Sequence, residues 1–175
     1  MRRIWYSVAM SLDGLIAGPK GEYDWIPMDP AIDWAAFMAR FDTVLMGRRT
    51  YEVALSQGQA GSFANMRTYV FSRTLRQADH PKVTVVADGS EAVVGALRKQ
   101  SGKDIWLMGG GVLFQSLLEA GLVDRIEIGL VPILLGNGLR FLPTASGAVR
   151  LHLTDSHEYP TGIVLMGYDV ARAAA

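Results

Sequence analysis

Three short segments place glycine, arginine and hydroxyl side chains directly after an apolar, strand-like stretch. They read MGRRT at residues 46–50, FSRT at residues 71–74 and MGGG at residues 108–111. Backbone amides at the start of a helix attract anions, and arginine adds charge-assisted hydrogen bonds. The first segment suits a pyrophosphate, the second a further phosphate such as the 2′-phosphate of NADP, and the three glycines the close approach of a ligand backbone. Each segment also fits an ordinary helix cap or polar turn.

The composition excludes several other kinds of site. The chain has 175 residues, with 17 basic and 17 acidic side chains, three histidines and no cysteine. Without cysteine there is no disulfide framework, thiolate metal site or cysteine nucleophile. Zero net charge argues against nucleic acid or an anionic membrane as a partner. The histidines lack metal-ligand spacing, and neither a Walker-type phosphate loop nor a G-x-S-x-G motif occurs, so we predict no metal site and no serine hydrolase.

Length and patterning predict one domain spanning residues 1–175. No uncharged run exceeds fourteen residues, which is too short for a transmembrane helix. The basic start imitates a signal peptide, but Asp13 interrupts the apolar run and no small-residue cleavage site follows. We therefore expect a soluble, cytoplasmic protein.

Strand-like and helix-like segments alternate along the chain. The pattern predicts strands at residues 4–10, 43–46, 68–71, 83–86, 105–108, 125–135, 149–159 and 163–170, and helices near residues 32–37, 50–55, 90–99 and after the triple glycine. Asp29 and Pro30 fit the N-cap and first position of the first helix. Pro132 indicates a sheet edge or a bulge, and Asn137 with Gly138 a hairpin turn. The alternation predicts an α/β fold with a mostly parallel sheet, antiparallel C-terminal strands and helices on both faces.

The three segments, in this order, resemble those of the dihydrofolate reductase superfamily. Two more segments, AMSLDGLIA at residues 9–17 and VPILLGNG at residues 131–138, resemble the A-x-S-L-D-G and P-x-L-L-G-x-G motifs of the reductase domain of riboflavin biosynthesis. The resemblance covers residues 4–170. It implies a three-layer dihydrofolate reductase-like fold and a reductase of a small molecule, with NADPH lying across the carboxyl ends of the parallel strands.

The resemblance also assigns residues to the cofactor by position. Contacts with the nicotinamide carboxamide are implied for Ala9, Ile16 and Ala17, and Phe114 is implied beside the nicotinamide pocket. The pyrophosphate region is assigned to Gly47, Arg48, Arg49 and Thr50. The 2′-phosphate is assigned to Ser72 and Arg73, and the cofactor backbone to Gly109, Gly110 and Gly111.

A carboxylate near the first helix is implied as the group that recognises the substrate or assists its protonation. Asp29 and Asp33 compete for this role. Asp29 precedes a proline and is equally suited to capping, whereas Asp33 is expected inside an apolar helix, one turn before Phe37 and partly desolvated. We favour Asp33 and keep Asp29 as the alternative. Trp25 and Trp34 are expected to line the same pocket or to pack in the core.

The chain departs from both parent patterns at the substrate side. Ser7 stands where the riboflavin reductase pattern usually has lysine, and the Asp-Pro-x-Leu-Thr-x-Arg segment associated with the ribose-phosphate substrate is missing. Gly129 stands where a pterin-binding threonine is expected. The acceptor therefore stays open between a pyrimidine like 5-amino-6-(5-phosphoribosylamino)uracil and dihydrofolate. A non-catalytic nucleotide-binding module and a sugar- or nucleotide-phosphate binding protein remain alternatives of another class.

A homodimer is the last expectation from the sequence. Charged residues make up only 19% of the chain and apolar types 50%, which suggests apolar surface covered by a partner subunit. We expect Ile128, Leu130, Ile133 and Leu134 to lie at a sheet edge near Pro132 and to pair with a second copy, as the resembling reductase domains do. The alternative is that these residues fill the core of the monomer.

Overall fold

The computed structural model describes residues 1–58, 63, 65–144 and 147–171. The strands are β1 (Ile4–Ser11), β2 (Leu15–Ala17), β3 (Phe41–Gly47), β4 (Arg67–Phe71), β5 (Thr84–Val86), β6 (Asp104–Gly109), β7 (Arg125–Val131), β8 (Leu139–Arg140), β9 (Leu151–Glu158) and β10 (Val164–Val170). The helices are α1 (Trp34–Ala39), α2 (Arg48–Ser56), α3 (Ser90–Lys99) and α4 (Gly111–Glu119), with a 3₁₀ turn at Gln77–Asp79. Among the described residues, no helix is long and apolar enough to cross a membrane.

One eight-stranded sheet in the order β5-β4-β3-β6-β1-β7-β10-β9 organises the molecule. The first six strands in this order are parallel, whereas β10 is antiparallel to β7 and β9 is antiparallel to β10. Strands β2 and β8 form a separate antiparallel pair. The predicted α/β fold, with its antiparallel C-terminal strands, is confirmed.

Two apolar clusters fill the two faces of this sheet. Alternating residues of β1 place Ile4 and Tyr6 on the face covered by α3 and α4, together with Leu117. The opposite face holds a second cluster that includes Met46 of β3 and Tyr51 of α2. Helices therefore cover both faces, and the strands β3, β4, β6 and β1 between them end at one common edge.

The first helix begins later than the sequence predicts. The N-cap residue of α1 is Asp33, whose Oδ1 accepts a hydrogen bond from the Ala36 amide at 2.8 Å. Asp29 is 3% exposed and instead accepts hydrogen bonds from the Ala31 amide and from both the amide and the hydroxyl of Thr161. Asp29 therefore fastens this loop to the turn between β9 and β10, and its prediction as the helix N-cap is wrong.

Strand β7 lies in the interior of the sheet and not at its edge. Strand β10 pairs with β7 on the side away from β1, so Ile128, 8% exposed, belongs to the core of the monomer. Asn137 and Gly138 lead into β8, which pairs with β2, so the predicted hairpin turn is also wrong. The exposed edge is β9, whose eight residues are all exposed, including Leu153 at 59%.

Candidate functional site

The carboxyl ends of the parallel strands open onto one large cleft. Its volume is about 1980 Å³, and it extends from the loops after β4 and β5, past β3 and β6, to β1, β7 and α1. All three segments singled out in the sequence contribute to its wall. The lining includes the predicted residues Ala9, Ile16, Ala17, Gly47, Arg48, Arg49, Thr50, Ser72, Arg73, Gly109, Gly110 and Gly111, and also Asp33, Trp34 and Phe37.

Three helices begin at this cleft with glycine as the N-cap residue. Gly47 precedes α2, Gly89 precedes α3 and Gly110 precedes α4, and none of these caps provides a side-chain hydrogen bond. The amides of a first helical turn have no partner within the helix. In α1, by contrast, the carboxylate of Asp33 binds one of them. Helices α2, α3 and α4 therefore present their first-turn amides and the positive ends of their dipoles to the cleft.

Gly47 and Gly110 face each other, and neither its φ angle nor a close contact of a Cβ atom requires glycine at either position. Their φ angles are −76° and −70°, which other residues adopt freely. A Cβ atom at Gly47 would meet nothing closer than 4.0 Å, and one at Gly110 would meet only Oγ1 of Thr50 at 3.7 Å. The missing side chains leave a hollow beside two helix N-termini, which suits the backbone of a phosphate-bearing ligand.

The adjacent Gly111 is glycine for a different reason. A Cβ atom there would lie 2.9 Å from the carbonyl oxygen of Arg140 and 3.0 Å from Cδ of Pro143. Gly109 is intermediate, because its Cβ would lie 3.1 Å from Oγ1 of Thr50. Close packing of the protein itself therefore explains Gly111, but it does not explain Gly110.

The arginines at this end of the cleft differ in their partners. Arg48 forms an exposed ion pair with Glu52 at 3.2 Å, one helical turn away. Arg49 and Arg73 are exposed and, within the described part of the chain, form no ion pair. Ser72 is buried and accepts hydrogen bonds from the two amides that follow Arg73, so it shapes the turn that presents this arginine.

Two of the predicted pocket residues lie elsewhere. Phe114 is completely buried, stacked on Tyr6 with a ring-centroid distance of 3.8 Å, so its prediction beside the nicotinamide pocket is wrong. Helix α4 directs Phe114 into the core, and Val112, 76% exposed, faces the cleft instead. Trp25 lies outside the cleft lining and donates its indole N–H to the carbonyl oxygen of Glu22.

The two aspartates considered as functional carboxylates occupy different places. Asp33 lines the cleft beside Trp34 and Phe37, but it is an exposed N-cap and not a partly desolvated helical residue. Asp29 is outside the lining, and the Thr161 hydroxyl and the Ala31 amide hold its pKa below the usual value. Of the two carboxylates, the geometry thus leaves Asp33 in contact with the cleft.

An ion pair between a buried carboxylate and a half-buried guanidinium closes the end of the cleft near β1 and β7. Glu127 is 3% exposed, and its Oε1 accepts hydrogen bonds from the Ser7 hydroxyl at 3.0 Å and from Nη2 of Arg40 at 3.3 Å. Nη1 of Arg40 donates to Oε2 at 3.2 Å. The Arg40 guanidinium also lies 4.6 Å from the ring centroid of Phe37 and 4.8 Å from that of Trp5. We call Ser7, Arg40 and Glu127 the acceptor-end cluster.

Comparison with known proteins agrees with this architecture. The family model described as the RibD C-terminal domain matches residues 2–165. The chain belongs to the RibD C-terminal domain family. This confirms the placement in the dihydrofolate reductase superfamily, beside the reductase domain of riboflavin biosynthesis, and makes the protein a member of a reductase-like family.

Individual relatives extend over almost the whole chain. The uncharacterized protein YyaP of Bacillus subtilis (strain 168) is 30% identical over 178 residues, which cover 95% of this chain and 94% of that protein. The crystal structure of a putative riboflavin biosynthesis protein from Shewanella sp. PV-4 is 28% identical, with a TM-score of 0.83 over 98% of this chain and 100% of that one. Dihydrofolate reductase from Enterococcus faecalis, complexed with NADP(H) and RAB-propyl, shares the fold at 19% identity, with a TM-score of 0.68 over 97% of each chain.

Sequence reasoning from the motifs of the RibD C-terminal domain missed the acceptor-end cluster. In the sequence Ser7 stands out only as a departure from the usual lysine, and no motif includes Arg40 or Glu127. One signal was available, because Glu127 alternates with Ile126 and Ile128 and therefore faces the other side of β7. The exposed Arg140 of β8 also lines the cleft, and nothing in its local sequence indicates this.

Proposed function

We propose that the protein is an NADPH-dependent oxidoreductase that transfers a hydride to a C=N-type bond of a pterin- or pyrimidine-like small molecule, similar to 5-amino-6-(5-phosphoribosylamino)uracil reductases. The observation that carries the proposal is the meeting of three glycine-capped helix N-termini with Arg49 and Arg73 along one cleft. Amides and guanidinium groups together suit a dinucleotide with a pyrophosphate and a 2′-phosphate. The enterococcal neighbour of the same fold was solved with NADP(H).

The residues present fit this cofactor at three points. The hollow between Gly47 and Gly110 would hold the pyrophosphate, because a Cβ at either position would occupy otherwise open space. Arg73, on the turn shaped by Ser72, would hold the 2′-phosphate. Ala9, Ile16 and Ala17 would contact the nicotinamide, which supplies the hydride when NADPH is bound.

Asp33 is the group of this chain that we assign to the acceptor. Reduction of a C=N bond places the hydride on carbon and requires a proton on nitrogen. Oδ1 of Asp33 is held by the Ala36 amide at the start of α1, which leaves Oδ2 for the acceptor. Phe37, one turn further along α1, provides the apolar wall of the same subsite. Helix α1 thus positions both the carboxylate and the aromatic ring beside the proposed nicotinamide site.

NADPH oxidation across a panel of pterin and pyrimidine acceptors tests the proposal. With an acceptor that is reduced, Asp33→Asn is expected to lower turnover roughly a hundredfold while NADPH still binds. Asp29→Asn, the matched variant, should lower stability and leave turnover nearly unchanged, because Asp29 lies outside the cleft. NADPH binding without oxidation by any acceptor would favour the non-catalytic module, and equal binding of mononucleotides would favour a phosphate-binding protein.

We propose also that the protein is a homodimer, with β9 at the interface. All residues of β9 are exposed, and no strand among the described residues pairs with its outer edge, beside Leu151 and Leu153. A bare edge strand of eight residues invites pairing with another strand, and a two-fold arrangement is the commonest closed solution. Light scattering should give a mass near 38 kDa, twice 19.1 kDa. A monomer that persists at high concentration would contradict this assignment.

A further inference from the structure

The acceptor-end cluster lies within reach of the proposed hydride-transfer site. Strands β1 and β7 pair in a register that places Ser7 opposite Glu127 and Ala9 opposite Gly129. The Ser7–Glu127 pair is therefore two residues, about 7 Å, along the same sheet face from the proposed nicotinamide contact at Ala9. An acceptor ring beside the nicotinamide would meet this pair. Ser7, Arg40 and Glu127 all line the cleft.

The cluster is built rigidly. Glu127 is almost fully buried, and Arg40 binds both of its carboxylate oxygens. The Trp5 ring lies beneath, with the guanidinium carbon of Arg40 at 4.8 Å and that of Arg125 at 4.5 Å from its centroid. Arg125 is itself held by an ion pair with Asp155 of the edge strand. Side chains fixed in this way can select a ligand by the direction of its hydrogen bonds.

Most hydrogen-bonding positions of the cluster are already used, and the few that are left define what a ligand can bind. A carboxylate has about four acceptor sites, and three of those on Glu127 are used by Ser7 and Arg40. A guanidinium has about five N–H donors, and three of those on Arg40 are used by Glu127 and by the Phe37 carbonyl oxygen. Within the part of the chain that the structure describes, one acceptor site and two donors remain, on a pair whose net charge is zero.

The two ends of the cleft differ in whether their arginines are neutralised by a carboxylate. Arg49 and Arg73, at the cofactor end, are cations without an ion-pair partner among the described residues. Arg40, at the acceptor end, is neutralised by Glu127. A phosphate or carboxylate placed on Arg40 would have to compete with a buried carboxylate, whereas an uncharged group would not.

We propose that Arg40 and Glu127 are specificity-determining residues that bind the uncharged donor–acceptor edge of a nitrogen heterocycle and exclude acceptors that are anionic at that edge. Ser7 acts as a positioning residue for Glu127. The inference rests on the proposed function, since it concerns the acceptor of the NADPH-bound protein. It assigns the acceptor a neutral edge of the 2-amino-4-oxopyrimidine kind, in which one N–H donor faces Glu127 and the adjacent carbonyl oxygen faces Arg40.

Calorimetric titration of the NADPH-saturated protein with two probes tests this assignment. Isocytosine presents such a neutral edge, and orotate is a pyrimidine of similar size that carries a carboxylate. The unmutated protein should bind isocytosine at least roughly tenfold more tightly than orotate. Glu127→Gln keeps the shape of the side chain and leaves the cation of Arg40 unpaired, so the preference should reverse, with orotate gaining roughly tenfold.

Two further variants control the experiment. Glu52→Gln unpairs Arg48 in the same way at the cofactor end and should leave the ratio of the two affinities unchanged. The double variant Arg40→Met/Glu127→Gln keeps the cluster uncharged, so it should lose isocytosine without gaining orotate, and it decides the question if Glu127→Gln does not fold. A protein that fails to bind NADPH contradicts the proposed function. A protein that binds NADPH but prefers orotate, binds neither probe, or keeps its preference in the two variants that carry Glu127→Gln overturns the present inference.

Discussion

The two ends of the cleft differ in whether their charged groups are paired with each other. The cofactor end uses backbone amides at glycine-capped helix starts and the exposed Arg49 and Arg73, which form no ion pair in the described chain. The acceptor end uses side chains from β1, β7 and the end of α1, and Arg40 and Glu127 there bind each other. Free donors and positive dipoles suit a ligand that brings several negative charges. Paired charges in a buried site suit a ligand recognised by shape and hydrogen-bond direction.

The largest effects are expected from substitutions at two neighbouring glycines, Gly110 and Gly111, and they should differ in kind. Gly110→Val should leave the protein folded and lower NADPH affinity roughly a hundredfold, because its methyl groups fill the hollow beside α4. Gly111→Ala should instead lower the free energy of unfolding by about 1–3 kcal/mol, because its Cβ collides with the Arg140 carbonyl and with Pro143. Urea denaturation and a fluorescence titration with NADPH measure the two quantities. An unfolded Gly110→Val variant would show that this glycine, too, is required by the fold.

Arg73 and Arg49, at the cofactor end, are expected to bind the 2′-phosphate of NADPH. Arg73→Gln and Arg49→Gln are each expected to weaken NADPH binding by roughly 1–3 kcal/mol, the range for a lost hydrogen bond to a charged group, and to change NADH binding less. Arg76→Gln is the control, because Arg76 is an exposed arginine of the same loop that does not line the cleft. Parallel titrations with both dinucleotides measure the effect. Equal losses for NADPH and NADH would place these arginines away from the 2′-phosphate.

A smaller, pH-dependent effect is expected at the turn that precedes β2, the strand that carries Ile16 and Ala17. Asp13 accepts hydrogen bonds from the Ser11 hydroxyl and from the amides of Gly136 and Leu135, and these bonds lower its pKa to about 2. A carboxylate whose pKa is lower in the folded state stabilises the fold above its unfolded pKa of about 3.9 and loses this contribution as the pH falls toward 2.

The measurement is the urea midpoint of the unmutated protein and of Asp13→Asn at several pH values. The two midpoints should differ at pH 6 and converge below pH 4, as Asp13 takes up its proton. A difference that stays constant between pH 6 and pH 2 would show that the carboxylate charge does not contribute.

The same contrast explains how far the sequence could predict this protein. The meeting of the three segments at one cleft was predictable because each is a short local segment, and α3 was predicted at its observed bounds, Ser90–Lys99. The start of α1 was misplaced because Asp29 binds Thr161, 132 residues away along the chain. The acceptor-end cluster was missed for the same reason, since Arg40 and Glu127 are 87 residues apart. Strand β7 was placed at an edge because its pairing with β10 depends on a long-range register that no local pattern encodes.

We propose that the glycine and arginine segments together form a site for NADPH. Calorimetric titration of the unmutated protein with NADPH and then with NADH tests it most directly. We expect one NADPH to bind per chain, with an affinity for NADH that is at least roughly tenfold weaker, because the 2′-phosphate gains charge-assisted hydrogen bonds. Equal affinities for the two dinucleotides, or binding of neither, would contradict it.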